Sequence, residues 1–76
     1  MITKTFYEKL EFILELEPNT INGTESLDGL EGWDSLAKLS FIAMADAELD
    51  TIVSAKALLA CKTVAELVKL FDGKII

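Results

Sequence analysis

Asp34-Ser35-Leu36, entered through Gly32-Trp33, places a hydroxyl where a long irregular stretch gives way to a helical period. Serine hydrolysis needs a base within hydrogen-bond reach, usually histidine, because a free hydroxyl is a weak nucleophile near neutral pH. The chain has no histidine. Lys38, three residues on, is the conceivable substitute base, but nothing in the sequence supplies an oxyanion hole or a pocket. No catalytic residue is assigned, and Ser35 reads as an attachment point.

Metal chemistry fares no better. Asp46, Glu48 and Asp50 lack the glycine-bearing loop of a calcium site, and a lone cysteine without histidine cannot build structural zinc. No metal is expected, and these acids read as a solvated face. Cys61 admits no intramolecular disulfide and reads as a small buried hydrophobe.

If Asp34 or its neighbour caps the following helix, Ser35 lies in the first turn, where backbone N–H groups lack intrahelical partners. A phosphate ester there would meet those donors and the positive end of the helix dipole. From spacing alone, a modified serine and an ordinary helix-start serine are equally compatible.

The elements that must position this serine follow from apolar spacing. Between Thr5 and Leu16, Phe6, Leu10, Ile13 and Leu14 share one face, with Glu8, Glu11 and Glu15 opposite. Thr5 and Glu8 have capping-box spacing, Thr3 is an alternative start, and Pro18 marks the end. Residues 17–33 form a long loop rich in glycine and asparagine, whose Ile21, Leu27, Leu30 and Trp33 predict that it is pinned across the core.

A second helix is predicted over Ser35–Leu49, with Phe41, Ile42, Ala45 and Leu49 inward. Leu36, Leu39, Ser40, Ala43 and Ala47 form the opposite strip, uncharged except for Asp46 at its margin. Such a strip is either a protein docking face or a surface that packs against the long loop. Ser54 caps a short turn over Ala55–Ala60, and Thr63 with Glu66 starts a final helix whose Val64, Leu67, Val68 and Phe71 share a face before Gly73. The expected fold class is all-α: a small four-helix bundle with three main helices, one short helix, and a long loop between the first two. A single domain over residues 1–76 is expected.

Charge narrows the partners. Residues 1–34 hold eight acids against two lysines, whereas 35–76 hold five against five, so the net charge of −6 lies in the first half. Phosphate backbones and anionic lipid repel such a chain, so no nucleic acid and no membrane is expected as a partner. A basic protein surface suits it better. No apolar run approaches membrane-spanning length, the N-terminal residues lead into charge rather than an apolar signal core, and cytoplasmic residence is the default expectation.

Asp34-Ser35-Leu36 at a helix start, in an acidic chain with this helix plan, resembles the acyl carrier protein family. The similarity runs through the first helix, the long loop, the Leu49-to-Val53 exit and Thr63-Val64-Ala65-Glu66-Leu67. The resemblance implies that a phosphopantetheinyl transferase moves 4′-phosphopantetheine from coenzyme A onto the Ser35 hydroxyl. Acyl groups would then ride as thioesters on the terminal thiol and be presented to acyl-loading, acyl-transfer or condensing enzymes of fatty-acid, polyketide or other specialised acyl biosynthesis. By the same analogy Asp34 assists modification, and Leu36 and the strip of Leu39, Ser40, Ala43 and Ala47 meet partner enzymes; a monomer is expected.

One departure stands out. Fatty-acid-synthesis carriers tend to bear acids soon after the serine, whereas here Ala37, Lys38 and Ser40 follow and the first acid is Asp46. That pattern fits a dedicated partner set. A peptidyl carrier, compatible with Trp33 before the motif, and an unmodified helical interaction module are the alternatives.

Overall fold

The computed structural model describes residues 1–76. Helices α1 (Thr3–Leu14), α2 (Ser35–Leu49), α3 (Ala55–Ala60) and α4 (Val64–Lys69) follow in order, with a 3₁₀ turn at Leu27–Gly29 inside the first long connection. There is no strand, only an isolated bridge between Ser26 and Thr63. The fold is all-α with four helices, two long and two of six residues.

Helix α1 begins at Thr3, and the Thr5–Glu8 box does not form, because the ends of the chain serve its first turn instead. The Thr3 N–H donates to the Ile76 carbonyl at 2.7 Å and the Thr3 hydroxyl to the same oxygen at 2.9 Å. The Ile76 N–H returns to the Met1 carbonyl at 3.0 Å. The helix closes at Leu14, where Glu15 turns left-handed with φ 58°, so Pro18 lies beyond an end already made.

Glu11 corrects the expected polar face. It is only 4% exposed, and its carboxylate accepts the Ile21 N–H at 2.9 Å. The long loop doubles back over α1 and leaves a buried donor there, and a buried donor must be paired. Glu11 therefore holds the loop, while Ile13 is half-buried on the flank that faces α2.

The loop is pinned as its apolar residues predict, with Ile21 and Leu27 buried and Leu30 and Trp33 packed partly against the core. It is also tied to the start of α4. The Val64 and Ala65 N–H groups donate to Glu25 and Gly23 carbonyls, each at 3.1 Å, and the Leu27 N–H donates to Lys62 at 2.8 Å. Gly23 has φ 102°, and an added Cβ would strike the Tyr7 hydroxyl. Only glycine fits that crossing.

Helix α2 matches its expected span. Phe41, Ala45 and Leu49 face inward with Ala37, while Ile42 is half-buried. At its far end Asp50 is left-handed, and the Lys74 ammonium donates to the Leu49 and Asp50 carbonyls at 3.1 and 3.2 Å. A cation at the negative end of a helix dipole closes it favourably. Ser54 caps α3 through the Ala57 N–H at 3.0 Å, and the Thr63–Glu66 capping box forms as expected.

Helix α4 stops at Lys69, earlier than its apolar period, because the next bonds tighten to three-residue closure: Leu70 to Leu67 and Phe71 to Val68. Phe71 still reaches the centre. There Phe6, Phe41 and Phe71 meet with ring centroids 5.7–6.0 Å apart. These three rings join α1, α2 and the turn after α4 into one core.

Candidate functional site

Ser35 is the first residue of α2 and is exposed. Two contacts fix the chain that delivers it. Gly32 has φ 87° and passes so close to the end of α1 that an added Cβ would lie 3.3 Å from the Leu14 carbonyl oxygen. Trp33 then sets its ring against Phe41, edge to face at 5.9 Å and 81°.

Asp34 makes the helix start. Its side chain accepts the Ala37 N–H at 2.9 Å, and its carbonyl accepts Lys38 N–H at 3.0 Å, the first bond of the helix. The Asp34 N–H donates back to Gly32 at 2.8 Å. Ser35 and Leu36 N–H groups are left for a group outside the chain, at the positive end of a fifteen-residue helix. An exposed hydroxyl beside two free donors suits a phosphodiester.

Ser35 and Lys38 line one side of a groove between α2 and α3, completed by Leu39, Ile42, Ala55, Leu58 and Leu59. Beyond the serine and the lysine that lining is almost wholly apolar, with nothing to orient a base. Of the acids considered for a metal, Glu48 pairs with Lys9 at 2.6 Å and Asp50 forms the end of α2. No group of three or more ligating side chains comes together.

The expected partner strip is exposed along its length: Leu36, Leu39, Ser40, Ala43 and Ala47 are all open, with Leu36 at 72% and Leu39 at 64%. The long loop does not cover it. The strip separates two grooves, because Leu36 and Ser40 border α1 while Leu39 borders α3. Lys38 lies to the inner side and is half-buried.

Cys61 is half-buried, less enclosed than a core residue, and its thiol sits 3.5 Å from the Ala57 carbonyl oxygen. Burial pushes that thiol above its ordinary range, and the Glu66 carboxylate adds to the shift. Two residues that organise the site's supports escape a reading by helix faces: Glu11, which holds the loop, and Lys74, which closes α2. Glu11 precedes the buried Leu14 by three residues, a spacing that places both on one side of α1.

Comparison with curated proteins and with solved structures returned no match. The family described as "Phosphopantetheine attachment site" matches residues 5–71, from the first helix to the last core phenylalanine. Members of that family are carriers and hold 4′-phosphopantetheine covalently on a serine. With the match spanning most of the chain and a four-helix fold beneath it, the protein belongs to the phosphopantetheine-binding carrier family.

Proposed function

We propose that Ser35 is the attachment residue and that residues 1–76 act as one acyl carrier domain. The observation that carries this is the exposed hydroxyl at the first residue of α2, held by the Asp34 cap and the Trp33–Phe41 contact. On modification by a phosphopantetheinyl transferase, the Ser35 oxygen forms a bond to the phosphorus of coenzyme A that bears the pantetheine. The bond from that phosphorus to the bridging oxygen breaks, 3′,5′-ADP leaves, and the hydroxyl proton passes to the transferase. Asp34 keeps the serine at the helix start, and the free Ser35 and Leu36 N–H groups favour the phosphodiester formed.

The attached group supplies a thiol that holds acyl intermediates as thioesters. The chain contributes anchorage and a surface for partner enzymes, with Leu36, Leu39, Ser40, Ala43 and Ala47 as the contact strip. That strip carries no acid before Asp46, which supports a dedicated acyl-loading and acyl-transfer partner set over general fatty-acid machinery. Intact mass after co-expression with a broad-specificity phosphopantetheinyl transferase tests the reading. The parent gains one phosphopantetheinyl group and Ser35→Ala gains none. An unchanged parent, or an equal gain in the variant, overturns it.

A further inference from the structure

Phe12 lies on the outer side of α1 and is 85% exposed, the most exposed large hydrophobic residue in the chain. It makes no part of the core, yet it lines three surface grooves at once. One runs toward Ser40 and Met44 of α2, a second toward Leu36 and Ala37 beside the proposed attachment serine, and a third toward Leu16 and Pro18. The ring is thus an aromatic ridge with hollows on both sides. Ile52, exposed at 81%, lines none of these grooves.

The charges around Phe12 are predominantly negative. Glu8, Glu15, Asp34 and Glu48 line the first two grooves, and Lys9, the one cation among the lining residues, is engaged with Glu48 at 2.6 Å. Glu11, behind the third groove, is bonded to the Ile21 N–H. An apolar anchor and groove inside an acidic surround select a complementary surface, an apolar face flanked by cations. Nucleic acid and anionic lipid are repelled by the same surround.

We propose that Phe12 and the α1–α2 groove form a second docking surface, for a partner protein that presents an apolar helix face flanked by lysine or arginine. This surface adjoins the outward strip of α2 and shares Leu36 and Ser40 with it. The proposal rests on the carrier reading only for the identity of the partner as an enzyme served by the carrier. The docking itself requires no modification of Ser35.

A test therefore uses the unmodified full chain, isotope-labelled, titrated with a synthetic amphipathic helical peptide of leucine and lysine. A leucine–glutamate peptide of the same length is the control. Amide shifts are expected to concentrate at Phe12, Ser40 and Met44, and Phe12→Ala is expected to weaken binding at least about tenfold, or about 1.4 kcal/mol. Ile52→Ala leaves affinity unchanged, while Glu8→Lys with Glu15→Lys weakens it and so reads the charge without altering the ring.

Equal weakening by Ile52→Ala, shifts centred elsewhere, or equal binding of the leucine–glutamate peptide overturns the proposal. Phe12-dependent binding to phosphatidylcholine vesicles in place of the peptide also overturns it, by assigning the ridge to lipid. None of these outcomes bears on the mass gain at Ser35, so failure of the docking surface and failure of the attachment reading are separable.

Discussion

Trp33 stands edge to face against Phe41 at 5.9 Å, and through that contact the residue two before Ser35 is fastened to the ring cluster of Phe6, Phe41 and Phe71. The serine is exposed, but its approach is not free. A carrier needs its arm to move and the root of that arm to stay in place, and with Ser35 as the proposed root this contact would fix it.

Trp33→Ala removes a half-buried indole that bridges loop and core. A loss of about 2–3 kcal/mol is expected, below the full cost of truncating a buried aromatic because part of the ring already meets solvent. Urea unfolding measures the loss. Transfer onto Ser35 should slow as well, read as the rate of mass gain under conditions where the variant is folded. An unchanged rate would show that the loop places the serine without Trp33.

The cap and the hydroxyl separate cleanly. Ser35→Ala touches an exposed side chain and is expected to leave stability within about 0.5 kcal/mol while abolishing the mass gain. Asp34→Ala frees the Ala37 N–H and costs about 1 kcal/mol, whereas Asp34→Asn still accepts that bond and costs much less. Comparing mass-gain rates of the two Asp34 variants tells whether the transferase needs the charge or only the cap.

Glu11 gives a prediction from the inside of the fold. Glu11→Ala leaves the buried Ile21 N–H without its acceptor and is expected to cost about 1–3 kcal/mol. Glu11→Gln retains an acceptor oxygen at the same reach and recovers most of that loss. Amide hydrogen exchange at Ile21 checks the cause, because protection should fall in the alanine variant and return in the glutamine variant.

Which features were legible in advance follows from how local their causes are. The start of α2, the Ser54 cap and the Thr63–Glu66 box each depend on side chains within three or four residues of the backbone they serve. The cap beside the proposed attachment serine was legible for the same reason, since Asp34 caps the turn that contains Ser35. Glu11, Lys74 and the first turn of α1 were not. Their partners are Ile21, the far end of α2 and Ile76, the last of these 73 residues away, and no periodicity along a single helix encodes such pairings. Phe12 left a trace, an aromatic off the apolar stripe, but its acidic surround appears only once α2 lies beside α1.

The outward strip of α2 predicts a division between folding and function. Leu39 and Ala43 are exposed, so Leu39→Asp and Ala43→Asp are expected to hold stability within about 0.5 kcal/mol and preserve the helical circular-dichroism signal. Turnover of the loaded carrier by its partner enzymes should fall, because a charge now enters an uncharged contact. A lost helical signal would mean the strip supports the fold. Normal turnover with an intact fold would take both residues out of the contact.

Cys61 supplies a pH test that also bears on how the attached thiol is read. Its thiol is raised above the ordinary range by burial and by Glu66, so the folded state favours the protonated form more strongly than the unfolded state does. The stabilising contribution is therefore fully present below the ordinary thiol value and is lost as pH rises through the higher folded value. Parent and Cys61→Ala, unfolded in urea across that window, should draw closer in their pH slopes below it and diverge within it, with the parent losing the more. The reactive form is the thiolate, so iodoacetamide should alkylate folded Cys61 more slowly than the urea-unfolded chain at the same pH. In the modified protein the first alkylation should then fall on the arm, located by mass on the Ser35-containing peptide, and first labelling at Cys61 would show that its environment does not protect it.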